Sequence, residues 1–332
     1  MGVILKEKVQ GASAWKGKDL LKDDSWIYYW SDEAIASLEN ALEQVKQKGL
    51  QVPNFTKEEF PIPELANEIA SFNDELENGR GFLLLRGLPI ERYTDEEAAI
   101  IYYGIGLHMG TPVSQNVKGD MLGHVRNIGK LDTKNVRVYE TNENLPYHAD
   151  LSDVVGLLSL RKAKSGGLSS LASGMTLYNE ILEKHPEYIG ILYRLFLMEH
   201  LDDGKPGLTP IFSYHDGKLS GRYMRQYIEI AQENAGFPLS KVEIEALDLV
   251  DSIMNDEDLR IDMMLEPGDM QFANNYTVFH SRTAFEDYED VGKRRHLLRL
   301  WLKMPNAREL APDFPGRNGI AKREEASEVV EA

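Results

Sequence analysis

The stretch LPYHADLSD, residues 145–153, sets His148 and Asp150 on either side of a single alanine. In an extended chain, residues two apart point to the same face, so the imidazole and the carboxylate converge while Ala149 turns away. Both side chains are metal ligands, but two ligands do not make a site. The chain contains no cysteine, so a disulfide framework and a thiolate site are both excluded, and any metal must be held by His, Asp or Glu. Among the eight histidines, His124, His185, His200 and His215 sit in loop-like or helix-end contexts, and His108 lies late in an apolar helix. His280 differs. It ends EPGDMQFANNYTVFH (266–280), where Pro267-Gly268-Asp269 reads as a turn and MQF as the start of a strand. Two histidines and one carboxylate make up the facial triad that holds ferrous iron and leaves positions open for oxygen chemistry.

A second chemical feature follows fifteen residues later. GKRRHLLRLWLKM (292–304) alternates as a strand, with Leu298, Leu300 and Leu302 on one face and Arg295, Leu297, Arg299 and Trp301 on the other. At strand rise the two arginines stand roughly 13 Å apart. A planar guanidinium grips a carboxylate bidentately. One dicarboxylate could therefore chelate a metal with one end and reach Arg295 with the other.

The elements that must position these residues are legible in outline. Helices are expected over 31–48, with Ser31 as cap, over 63–78, with Pro63 in the first turn, and over 94–110, with acidic residues in the first turn. GFLLLRGLP (81–89) reads as a buried strand. From about residue 136 the texture turns to short extended segments: VRVYE, DVVGLLSLR, GGLSSLAS, TPIFSYHDGKLSGRYM and HLLRLWLKM. Asp216-Gly217 marks a two-residue hairpin, and helical patterns interrupt at 176–185 and 240–254. Short strands with few helices between them favour an antiparallel barrel or double-sheet jelly roll. The expected organisation is one domain over 1–317, a helical N-terminal part on a β core, with 318–332 as a loose polar tail.

Composition narrows the function classes. The chain has 332 residues, 42% hydrophobic and 27% charged, ordinary for a globular protein. A formal net charge of -17 argues against a nucleic-acid surface and makes an inward-pointing arginine informative. No signal-peptide run and no apolar run of membrane-spanning length occur, so the expected address is the cytoplasm with no membrane partner.

On YHAD, SGGLSSLAS, GDMQFANNYTVFHSRTAF and RRHLLRLW, in that order and spacing, the sequence resembles the taurine dioxygenase and clavaminate synthase-like group of iron(II)/2-oxoglutarate-dependent oxygenases. The resemblance covers roughly residues 80–305. It implies a mainly β fold with flanking α-helices, a double-stranded β-helix or distorted jelly roll. It implies Fe(II) on His148, Asp150 and His280, and 2-oxoglutarate as cosubstrate. The far carboxylate of the cosubstrate would be held by Arg295 and by Ser169, which stands where taurine dioxygenases carry threonine. Arg299 would meet an anionic group of the substrate. The implied reaction consumes molecular oxygen, oxidises an unactivated C–H bond, with hydroxylation as the default, and releases succinate and carbon dioxide.

The segments between the motifs depart from taurine dioxygenase, so the substrate does not carry over. A small molecule bearing a carboxylate or sulfonate, such as an amino acid or a biosynthetic intermediate, fits an inward Arg299. Asn144 is a candidate polar contact at the mouth of the site, against the alternative of a turn asparagine. Arg222, Tyr223 and Arg225 are either a further part of the pocket or a solvated arginine pair. Self-association is left open. A halogenase would need Asp150 replaced by a small residue. A zinc hydrolase would leave Ser169, Arg295 and the paired glycines unexplained, and a jelly-roll binding protein without turnover need not have kept all three ligands.

Overall fold

The strand His296–Lys303 shows how the layers arise. Leu298, Leu300 and Leu302 point into one apolar core with the helices, while Leu297 and Trp301 point into another between two sheets. This is the partition that alternation requires, and it places Arg295 and Arg299 on the inner side. The computed structural model describes residues 3–22, 24–128, 141–199, 207–314 and 316–321.

The main sheet runs Ile27–Tyr29, Phe82–Arg86, Met270–Asn274, Val154–Arg161, His296–Lys303, Thr111–Pro112, with Leu122–Val125 also paired to the His296 strand. A second sheet runs Arg260–Met263, Ser169–Ser173, Val278–Arg282, Leu145–His148. Neighbours are antiparallel except Ile27–Tyr29 beside Phe82–Arg86. Phe82, Leu84, Val155 and Trp301 of the main sheet meet Leu171, Ile261 and Val278 of the second, forming the core between them. This is the distorted jelly roll, a mainly β architecture flanked by helices.

The helices cover the outer faces. Asp32–Gln47, Ala66–Asn78 and Asp95–Met109 pack on the main sheet, and Gly174–Lys184, Arg225–Asn234 and Lys241–Met254 on the second. Ser31 caps the first by accepting from the Ala34 N–H at 3.1 Å. Thr94 and Glu97 form a reciprocal capping box on the third. No described helix is long and apolar enough to cross a membrane.

Three details differ from the sequence reading. The expected helix over 63–78 begins as a 3-10 turn, Pro63–Leu65, because no side chain caps the α-helical start at Ala66. Helix Arg225–Asn234 also lacks a side-chain cap, which explains why no start signal marks it in the sequence. The residues expected to open a loose tail are anchored: Gly319 donates to the Leu151 carbonyl, Ile320 to that of Ser114, and Ile320 is buried in the inter-sheet core. VRVYE (136–140), His200 and residues 322–332 lie outside the described residues.

Candidate active site

Register brings the expected ligands together. His280 pairs directly with His148 on the neighbouring strand, and their ring centroids stand 4.1 Å apart. The strand carrying His148 ends there, and the next two residues are fixed by outside groups. Ala149 N–H donates to the Tyr223 carbonyl at 2.9 Å, and Asp150 N–H to Asn275 Oδ1 at 2.9 Å. Asp150 is thereby turned back toward the histidines, with its carboxylate oxygens 4.0 Å from His148 Nε2 and 3.7 Å from His280 Nε2. One ligand atom from each of the three lies within 4.8 Å of the others, and all three residues are buried.

These contacts are too long for hydrogen bonds and too close for a buried cluster with nothing between its lone pairs. His148 Nδ1–H donates to the Pro146 carbonyl at 2.9 Å, which leaves Nε2 as a bare acceptor facing Asp150. Burial pushes both imidazoles down, His280 to about 3, where His148 adds to the effect. For Asp150, burial alone would raise the carboxyl. Arg299 foremost, then the two histidines and the Trp301 indole, hold it below the ordinary carboxylate range. Two neutral imidazoles and one ionised carboxylate form a donor set that a divalent cation completes. The residues therefore fit iron in the two-histidine, one-carboxylate arrangement.

Beside the triad lies a cavity of about 40 Å³ whose polar lining includes His148, Ser169, His280, Arg282, Arg295 and Arg299. Three buried arginines in so small a space demand anions. Arg295 Nη1 has no acceptor among the described residues, and burial pushes its guanidinium down to about 9, so it still carries its charge at neutral pH. Ser169 donates to Gln271 Oε1 at 2.7 Å. Arg299 is held by Gln115: its Nε donates to Oε1 at 2.8 Å, and its carbonyl accepts from Nε2 at 2.7 Å. The sequence reading missed Arg282, although the two-residue strand period puts Arg282 on the same face as His280.

Other expected residues lie elsewhere. Asn144 is exposed just before the His148 strand and does not line the cavity. Arg222 is fully buried rather than solvated, over the Phe314 ring at 4.9 Å and donating to the Gly316 carbonyl. Arg225 pairs with Glu229, Asp248 and Asp251, and Tyr223 donates to Asp251, so this group anchors a helix instead of extending the pocket. His108 bonds the Phe60 carbonyl at 2.7 Å. A larger hollow of about 900 Å³ lies on the helical side of the main sheet and includes His124 and His296. Size does not make it the reaction site, because the two histidine ligands line the smaller one.

A family model of the taurine catabolism dioxygenase TauD, TfdA family matches residues 46–301. The chain belongs to that family. It is accordingly an iron(II)- and 2-oxoglutarate-dependent dioxygenase, and the donor set just described suits that metal. Among relatives, FR-33289 synthase of Streptomyces rubellomurinus is 36% identical over 316 residues, covering 92% of this chain and 93% of that protein. A taurine hydroxylase-like protein, SAT17 of Stachybotrys chartarum, is 29% identical over 311 residues, covering 90% of this chain and 80% of its own length. The fold matches an asparagine oxygenase solved with Fe(II), 3-hydroxyasparagine and succinate, at a TM-score of 0.69 and 16% identity, over 89% of this chain and all of that one. It also matches the non-heme iron oxygenase OrfP with iron and alpha-ketoglutaric acid, at 0.63 and 14% identity, over 83% and 93%.

Proposed function

We propose that this dioxygenase hydroxylates an unactivated C–H bond of a small anionic, amino-acid-like substrate, with iron on His148, Asp150 and His280. The observation that carries the reading is the closure of these three ligands beside a cavity walled by buried arginines. Iron(II), 2-oxoglutarate and molecular oxygen together supply the oxidising chemistry. The chain's own residues bind, orient and exclude water. Arg295 and Ser169 hold the far carboxylate of 2-oxoglutarate. Turning the Gln271 amide over makes it the donor to Ser169 and frees the serine proton for that carboxylate.

Charge balance supports an anionic substrate. Arg282, Arg295 and Arg299 face Asp150 and Asp287, leaving one positive charge in excess. Iron(II) and the 2-oxoglutarate dianion cancel, so the excess remains for the substrate. Arg299, clamped by Gln115 and stacked 5.0 Å from the Trp301 ring, is the residue we assign to it. The structural relatives solved with hydroxyasparagine and with (3S)-hydroxy-L-Arg lend support to an amino-acid-like ligand.

Residues 1–317 are read as one cytoplasmic oxygenase domain. Val9 bonds Asn179 of the Gly174–Lys184 helix and Trp15 bonds the Arg80 carbonyl just before the Phe82–Arg86 strand, tying the N-terminal segment to the rest of the domain. A screen of small carboxylates, sulfonates and neutral analogues for substrate-dependent succinate release tests the reading. Stimulation by anionic members is expected. Stimulation by neutral members alone would remove the anion requirement.

A further inference from the structure

Arg282 is buried on the inner face of the Val278–Arg282 strand, 5% exposed, two residues beyond His280. One of its N–H groups is used: Nη2 donates to the Glu143 carbonyl, in the segment leading to the His148 strand. Its Nε and Nη1 are buried and have no acceptor among the described residues, and the same holds for Arg295 Nη1. Both guanidiniums lie against one ring, 4.7 Å and 5.1 Å from the Phe285 centroid. Arg282 is also the direct cross-strand partner of Ser169, and side chains at such positions sit side by side on the same face. The backbone is shaped around this corner. Gly167 has φ +74°, and a Cβ there would stand 3.3 Å from Arg295 Nε.

Two like charges buried against one ring repel unless something negative lies between them. Asp287 bears on both arginines, and its Oδ1 accepts from the Arg295 backbone N–H at 2.9 Å. It supplies one charge for two. The Glu143 carboxylate also bears on Arg282 but is exposed and screened by water. One positive charge and three donor nitrogens remain, and a carboxylate with two oxygens can meet them.

We infer that Arg282 is a second cosubstrate-binding residue, closing on the far carboxylate of 2-oxoglutarate from the side opposite Arg295. The inference rests on the dioxygenase reading above and goes beyond it by assigning this corner to a pair of arginines. The consequence is cosubstrate selectivity: a 2-oxo acid without the second carboxylate would leave one of the two positive charges uncompensated.

The test compares 2-oxoglutarate with 2-oxobutyrate, which keeps the chelating end and lacks the far carboxylate. Affinities are measured by calorimetry on the iron(II) protein without oxygen, for wild type, Arg282→Gln, Arg282→Lys and Arg295→Gln. Losing charged hydrogen bonds weakens 2-oxoglutarate by about 10- to 100-fold in both glutamine variants, with Arg282→Lys between them and wild type. Binding of 2-oxobutyrate stays within about 2-fold of wild type throughout, a split that a merely structural arginine would not give. Should Arg282→Gln fail to fold, Arg282→Lys carries the same comparison. Wild-type 2-oxoglutarate affinity in the Arg282 variants, or equal loss for both acids, overturns the inference and leaves the dioxygenase reading standing. A wild type that binds neither acid overturns both.

Discussion

Trp301 donates its indole N–H to Asp150 Oδ2 at 2.9 Å, and that same oxygen stands 3.7 Å from His280 Nε2. A main-sheet strand thus orients a carboxylate that works with two histidines of the second sheet. Groups that orient metal ligands in this way typically change metal affinity by about 10- to 100-fold when removed. Trp301→Phe keeps a ring in the core and deletes the donor. Anaerobic iron(II) titration should show weaker binding of that order, and an unchanged dissociation constant would mean that Asp150 needs no such support.

Arg299 bears on Asp150 and is the residue assigned to the substrate anion. Replacing it by glutamine should depress turnover of the best anionic substrate by about 100-fold, the loss expected for a buried charge-assisted contact. Anaerobic 2-oxoglutarate affinity should stay near wild type, because Arg299 is assigned to the other ligand. Turnover retained on an anionic substrate would place that anion elsewhere.

Away from the iron site, His124 Nδ1 and His296 Nε2 meet at 2.9 Å, and His296 Nδ1 meets an Arg161 N–H at 2.9 Å. Burial first, then His124 and Arg161, push His296 from 6.5 down to about 4. Between those values the unfolded chain binds a proton that the folded chain does not, so the unfolded state gains as pH falls. The contribution of His296 is complete above about pH 6.5 and is lost on the way down to about pH 4. Denaturant unfolding at pH 7 and pH 5 should show a smaller difference in His296→Asn than in wild type. Equal differences would show that His296 titrates alike in both states.

Leu300 is fully buried in the core between the main sheet and the helices, and Gly106 of the Asp95–Met109 helix packs over it closely enough that a Cβ there would stand 2.6 Å from Leu300 Cδ1. Leu300→Ala should cost about 2–5 kcal/mol in unfolding free energy by opening a cavity. Its side chain points away from the iron site, so anaerobic iron binding by the folded fraction should match wild type. A loss below 1 kcal/mol would show that the helices collapse into the gap.

What was legible in the sequence was whatever alternation and local turn chemistry decide. The face partition of residues 295–302 follows from the two-residue period. The convergence of His148 with Asp150, expected from that period, is instead achieved by the turn that Tyr223 and Asn275 hold just past the strand end. The Asp216-Gly217 hairpin appears with both residues at positive φ, 47° and 75°, joining Phe212–His215 to Lys218–Gly221. Long-range pairing was not legible. That Met270–Asn274 would sit between Phe82–Arg86 and Val154–Arg161 is decided by packing in three dimensions, not by any local signal. Arg222 was readable either as part of the pocket or as a solvated cation, whereas its surroundings are the Phe314 and Tyr276 rings brought from far along the chain. Arg282 was hidden for the same reason, since its significance depends on Ser169 and Arg295 arriving beside it.

The central claim is that His148, Asp150 and His280 hold one iron ion beside a 2-oxoglutarate site, and anaerobic reconstitution measures it most directly. Wild type and His280→Ala are loaded with iron(II), their bound metal is quantified, and 2-oxoglutarate is added while the visible spectrum is followed. The account expects about one iron per chain in wild type and a weak charge-transfer band on adding the cosubstrate, with both lost in the variant. A His280→Ala protein that binds iron as tightly as wild type and develops the same band would contradict it.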